Sequence, residues 1–139
     1  MYVVKVEVRE TAEGAKGTFA TADIPKGSAV WQFKPDYDTT ISPKDYNQLN
    51  ETQKEIAQNL SLISPKTFLV ILPPEDDPMV YTRQSKDSNL SPTFDKNVSG
   101  EIYFTAKNDI KNGEELTWNR SDFNKFLPKG RSVSNLLTS

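Results

Sequence analysis

The stretches whose residue types could support chemistry are few: "YTRQSKDSNL" (81–90), "GEELTWNR" (113–120), "AKGT" (15–18) and "EDD" (75–77). What is missing narrows the chemistry further, because the 139-residue chain has neither histidine nor cysteine. Without histidine, the side chain most often used as a general base near neutral pH is gone, and a Ser-His-Asp hydrolase is excluded. Without cysteine there are no disulfides, no thiol chemistry and none of the common zinc sites. Any catalysis must then use carboxylates, Lys, Tyr, hydroxyls or a bound cofactor. The run "EDD", fenced by Pro74 and Pro78, could ligate a hard cation through oxygen. A solvated acidic turn is the simpler reading, and no metal ligand set is expected. The polar run 81–90 fits either a surface turn or an active-site loop whose reactive residues have been exchanged.

Charge narrows the partners. Seventeen basic residues face nineteen acidic ones, for a net charge of −2. A sequence-independent nucleic-acid binder needs a basic excess to neutralise phosphates, so no direct nucleic-acid partner is expected. The longest apolar run, "FLVIL" (68–72), is strand length, well short of the roughly 18–20 residues of a membrane span. The N-terminus "MYVVKVEVRE" lacks the basic start and apolar core of a secretory signal. An intracellular, soluble, single-domain protein without a membrane partner is the expectation.

The elements that must position these residues are short. "YVVKVEV" (2–8) alternates with period two and predicts a strand, followed by a short strand at 18–21 and another at 28–33. Between these last two, "DIPKG" (23–27) is a turn punctuated by Pro and Gly. "SPKD" (42–45) is a helix start, with Ser42 as cap, Pro43 at the first helical position and Asp45 closing a capping box. Tyr46, Leu49, Ile56 and Leu60 supply an apolar stripe that breaks near Asn50. Residues 66–72 read as a buried strand, 101–118 as a strand–turn–strand unit and 121–126 as one helical turn. The polar tail 128–139 is expected to fray, leaving residues 1–127 as the domain. One echo stands out: "FATADIPKGSAVW" (19–31) and "FTAKNDIKNGEELTW" (104–118) share Phe, then Asp-Ile-x-x-Gly, then Trp. Short strands around one helical region give an α+β class, mostly β.

In this order the pieces resemble a SET domain, the fold of S-adenosylmethionine-dependent protein-lysine methyltransferases. "AKGTFATADIPKG" (15–27) resembles the family's Gly-x-Gly motif and its following turn, with Ala15 in place of the first glycine. "GEELTWNR" (113–120) matches the last motif, Gly-Glu-Glu-Leu-Thr-aromatic-Asp-Tyr, for five residues before diverging. "RQSKDSN" (83–89) stands where the family carries Asn-His-Ser-x-x-Pro-Asn, and "WQFKPDYD" (31–38) resembles small free-standing SET proteins of bacteria and viruses. The resemblance implies a β-clip fold of several small sheets, in which the chain after "GEELT" threads beneath the 81–90 loop like a pseudoknot. That loop is then the cofactor loop, with its architecture kept and its chemistry altered.

The same resemblance implies roles residue by residue. Methyl transfer from a sulfonium to lysine is an in-line displacement that needs a neutral amine, a narrow dry channel and oxygen acceptors around the methyl group. Arg120 occupies the position of the catalytic tyrosine. Arginine has no acceptor lone pair and is always charged. A guanidinium about 5 Å from the sulfonium would cost about 3 kcal/mol at an effective dielectric of about 20, or about two orders of magnitude in rate. Swinging to solvent or pairing with Asp122 would relieve that repulsion. Trp118 stands where the family lines its lysine channel, and equally suits a core position at a strand end. Lys16, Gly17 and Thr18 could offer main-chain groups to the cofactor carboxylate. Arg83 would meet the cofactor's amino-acid end, or else face solvent; Gln84 would meet adenine through its backbone. Phe123 or Phe126 could cap the adenine ring, or simply anchor the C-terminus.

Three functional expectations follow. The first is a catalytically degenerate SET protein that binds S-adenosylmethionine weakly or not at all and retains a lysine-bearing protein or peptide as partner. The second is an active lysine methyltransferase in which Tyr37, Tyr81 or Tyr103 supplies the hydroxyl. The third is a β-rich interaction module without cofactor that binds through a strand edge.

Overall fold

Two glycine-terminated turns, 86 residues apart in their aspartates, organise the chain by holding each other. Asp23 Oδ1 accepts the Asn112 N–H at 2.9 Å, and Asp109 Oδ1 accepts the Lys26 N–H at 2.8 Å. Ile24 and Ile110 exchange both backbone hydrogen bonds, at 2.7 and 2.8 Å. Gly27 donates to the Ala106 carbonyl and Gly113 to that of Ala20, again at matching positions. Both glycines have positive φ, 86° and 93°, which L side chains rarely adopt. The repeated Asp-Ile-x-x-Gly is therefore one reciprocal unit, each copy satisfying the other's backbone. Asp23→Ala and Asp109→Ala should each destabilise the protein by about 1 kcal/mol, the net worth of one such bond. Urea unfolding of the two variants should give similar values, because their geometries match.

The computed structural model describes residues 1–60, 62–64, 67, 69–94 and 102–123. Among them the strands are β1 (Val6–Glu10), β2 (Lys16–Ala20), β3 (Ala29–Gln32), β4 (Thr39–Ile41), β5 (Val70–Leu72), β6 (Arg83–Gln84), β7 (Leu90–Phe94), β8 (Ile102–Ala106) and β9 (Thr117–Trp118). They form four small sheets: β1–β2, β3–β8–β7, β4–β5 and β6–β9. All pair antiparallel except β6 with β9, which is parallel. Pro92 lies in β7, an outer strand of its sheet, where a missing N–H is tolerated.

The helical segment is split as its caps dictate. Ser42 and Asp45 form the capping box that opens α1 (Pro43–Tyr46). Asn50 and Gln53 make a second reciprocal pair, Gln53 N–H to Asn50 Oδ1 at 2.8 Å and Asn50 N–H to Gln53 Oε1 at 3.2 Å. That pair starts α2 (Glu51–Leu60), which buries Ile56, Ala57 and Leu60. α3 (Arg120–Phe123) is one turn; the rest of the expected 121–126 turn and the tail lie outside the described residues.

Strand limits differ from expectation where partners change. The alternation from Tyr2 is real, but the strand starts at Val6, because Tyr2 bridges to Trp31 and Val3 N–H reaches the Val30 carbonyl. Within the described part of 66–72, the strand is Val70–Leu72. The acidic turn ends in Asp77, which is 2 % exposed and caps a 310 turn at Pro78–Tyr81 through the Met79 N–H. One aromatic row crosses the core: Trp31 meets Phe104 edge-on at 5.7 Å, and Phe104 meets Trp118 edge-on at 6.0 Å. Both tryptophans of the internal echo thus join through one phenylalanine. No helix among the described residues is long and apolar enough to cross a membrane.

Candidate functional site

The 81–90 and 113–120 segments pack together, although separated in sequence. Arg83 and Gln84 pair with Thr117 and Trp118, and the Ser85 N–H donates to the Trp118 carbonyl at 2.9 Å. Asn89 acts as a clasp. Its Nδ2 donates to the Glu115 carbonyl and its Oδ1 accepts the Thr117 N–H, both at 2.9 Å. Those two bonds fix the amide orientation and hold the strand that the family would thread beneath this loop. Ser88, at the family's proline position, is buried and accepts a hydrogen bond from Lys107 Nζ at 2.8 Å.

Beside this junction lies a cleft of about 570 Å³, lined by Lys16, Asn59, Leu60, Val80, Tyr81, Thr82, Arg83, Gln84 and Trp118. That volume is within the range of small-molecule sites. Five residues singled out from the sequence, Lys16, Tyr81, Arg83, Gln84 and Trp118, share its wall. Lys16 Nζ stands 5.3 Å from the Tyr81 ring centroid, a cation–π contact. Trp118 takes the core position at a strand end and also borders the cleft. It is fully buried, it donates from Nε1 to the Thr82 carbonyl at 3.3 Å, and it forms cleft wall.

The other candidates make specific contacts. Arg83 is partly exposed, and its fork is engaged within the protein. Its Nε and Nη2 donate to the two carboxylate oxygens of Glu115 at 2.6 and 2.7 Å, with Glu13 at 3.7 Å from Nη1. Glu115 beside it raises the Arg83 pKa further above its usual value. Gly17 is covered as well: a Cβ added there would lie 2.5 Å from Glu115 Oε2. Thr18 is turned inward, fully buried, its hydroxyl donating to the Pro78 carbonyl at 2.6 Å and its own carbonyl accepting from Leu116 N–H. Of the Lys16–Gly17–Thr18 stretch, only Lys16 reaches the cleft.

Arg120 does not pair with Asp122. Its Nη2 donates to the Asn59 carbonyl at 3.1 Å, at the C-terminal turn of α2, while its Nε is buried without a hydrogen-bond partner. A cation suits that end of a helix. Asp122 instead pairs with Lys107 Nζ at 2.9 Å. Arg120 is not among the cleft-lining residues, although Asn59, whose carbonyl it bonds, is one of them. The side chains of Phe123 and Phe126 lie outside the described residues.

The three candidate tyrosines separate. Tyr81 lines the cleft. Tyr37 donates its hydroxyl to Asp77 and its pKa is pushed up to about 12 by that bond first and by burial second. Tyr103 lies in β8 opposite Gln32 and Thr93. Only Tyr81 of the three is in the cleft wall. Sequence reasoning missed the Glu115 partner of Arg83, although the expected contact of 81–90 with 113–120 already placed Arg83 within reach of an acidic motif.

Comparison with known proteins agrees with this geometry. The SET domain family model matches residues 15–119, and the chain belongs to the SET domain family. Among solved structures, a Plasmodium falciparum protein proposed to be a histone methyltransferase is similar with a TM-score of 0.55 and 17 % identity, over 84 % of this chain and 92 % of that one. The Chaetomium thermophilum Polycomb Repressive Complex 2, in an autoinhibited conformation bound to S-adenosylmethionine, gives a TM-score of 0.60 and 25 % identity. The match covers 86 % of this chain but only 15 % of that chain. A humanised mutant of the same complex bound to an inhibitor gives 0.59 and 26 %, again over 15 % of its length. No curated protein sequence matches this chain.

Proposed function

We propose that this SET-fold protein has a degenerate methyl-transfer site and keeps a cleft for an adenosyl ligand, with a lysine-bearing protein or peptide as its partner. The observation that carries the reading is Arg120, which stands at the tyrosine position of the family motif and is committed to the Asn59 carbonyl of α2. The acceptor hydroxyl the reaction needs is absent there. An adenosyl group suits the cleft by volume and by its Tyr81, Gln84 and Trp118 lining. S-adenosylmethionine, when bound, would supply the methyl group as a sulfonium. The chain's own contribution is then to orient the ligand and exclude water through the buried Trp118 and Leu60 side of the wall. The amino-acid tail of that cofactor does not fit as the side chains stand, because Glu115 covers Gly17 and holds both prongs of Arg83.

One observation favours a second reading, an active enzyme with an unorthodox hydroxyl: Tyr81 is in the cleft wall. Labelled methyl transfer from S-adenosylmethionine to a mixed lysine-peptide library separates the two. No transfer above background is expected from the natural chain, while calorimetric titration still detects an adenosyl ligand. Transfer that Tyr81→Phe abolishes would replace degeneracy with activity and name the hydroxyl.

A further inference from the structure

We infer that Glu115 is an internal ligand, its carboxylate occupying the Arg83 fork to which a carboxylate-bearing ligand of the cleft would dock. The inference rests on the adenosyl-binding reading above and concerns which adenosyl ligands the cleft admits. An arginine fork recognises carboxylates by two parallel N–H bonds to two oxygens. Arg83 makes that interaction, at 2.6 and 2.7 Å, with a side chain of its own protein. The backbone that carries this carboxylate is held from behind. Glu115 bridges to Phe19, Leu116 N–H bonds to the Thr18 carbonyl at 2.8 Å, and Asn89 grips the Glu115 carbonyl. With its backbone pinned between β2 and the 81–90 loop, the side chain lies flat against Gly17, where no Cβ would fit without displacing it.

The consequence is selectivity. The Arg83 fork is at the cleft wall, but a second carboxylate arriving there meets two acidic neighbours, Glu115 and Glu13, before it meets a free donor. Lys16 is the remaining cation in the wall, and it lies over the Tyr81 ring. The cleft therefore accepts an adenosine moiety without rewarding an amino-acid tail. Glu115→Gln keeps the shape and removes the charge that holds Arg83, so it should release the fork to an incoming carboxylate.

Calorimetric titration with S-adenosylhomocysteine, which carries the carboxylate, and with 5′-methylthioadenosine, which lacks it, tests this directly. The natural chain should bind the two within about threefold of each other. Glu115→Gln should tighten S-adenosylhomocysteine by about tenfold or more, the scale of a charge-assisted pair, and leave 5′-methylthioadenosine unchanged. Adding Arg83→Gln to that variant should erase the gain. A natural chain that already prefers S-adenosylhomocysteine tenfold overturns the inference while leaving the adenosyl reading intact, and needs no variant to fold. So does a Glu115→Gln chain that keeps its thermal midpoint and gains for both ligands equally, or for neither. Binding of no adenosyl ligand by either chain overturns both.

Discussion

Trp118→Ala is expected to lower stability by about 3–5 kcal/mol, the range for truncating a buried aromatic to alanine. The ring is fully buried, it meets Phe104 edge-on, and its Nε1 is the donor to the Thr82 carbonyl. Truncation therefore opens a cavity, ends the aromatic row and leaves a carbonyl without that donor. Trp118→Phe keeps the edge contact and much of the volume, and should cost less than half as much. Urea unfolding of both variants measures the difference. A Trp118 that served as channel wall alone would leave the midpoint where it was, so a small effect of the alanine change would remove its core role.

The second large effect concerns recovery of chemistry. Arg120→Tyr returns a hydroxyl to the family's position and removes a charge, but it also takes away the donor to the Asn59 carbonyl. Transfer by this single variant should stay close to background, because ligand docking and chemistry are separate requirements. Adding Arg83→Asn and Gln84→His, which restores the family's residues in the loop, should raise labelled transfer at least about tenfold over Arg120→Tyr alone. The triple variant should also exceed the Arg83→Asn, Gln84→His pair. Equal rates for the single and triple variants would show that the loop residues do not limit binding.

The order of motifs was legible because turns are written in residues with special backbone freedom. Asp-Ile-x-x-Gly, Ser-Pro-x-Asp and Gly-Glu-Glu-Leu-Thr each announce a local shape, and their sequence along the chain led to the SET fold. What two turns do to each other is not local, so nothing in either copy of the echo disclosed that Asp23 and Asp109 serve the opposite turn. Arg120, for which the sequence offered either a swing to solvent or a pair with Asp122, shows a different limit. A pair with Asp122 is natural if the chain is irregular, but α3 begins at Arg120, and residues two apart do not face each other on a helix. Glu115 is hidden by its motif: it reads as a family letter, while its charge acts only through the distant Arg83. Within "EDD", Asp77 is turned inward as a cap for the 310 turn, a burial that acidity alone does not foretell.

The reciprocal turns also bear on how the chain reaches its native state. Each closes contacts across more than 80 positions, 83 for Lys26 with Asp109 and 89 for Asn112 with Asp23. Loops of that length are entropically costly to close before any contact offsets them, and such separations go with slow folding. During synthesis, the 23–27 turn has no partner for its Asp23 carboxylate or its Ile24 amide until residues 109–113 have emerged. The 23–27 turn is thus left waiting for the 109–113 turn, and the contacts between the two close late.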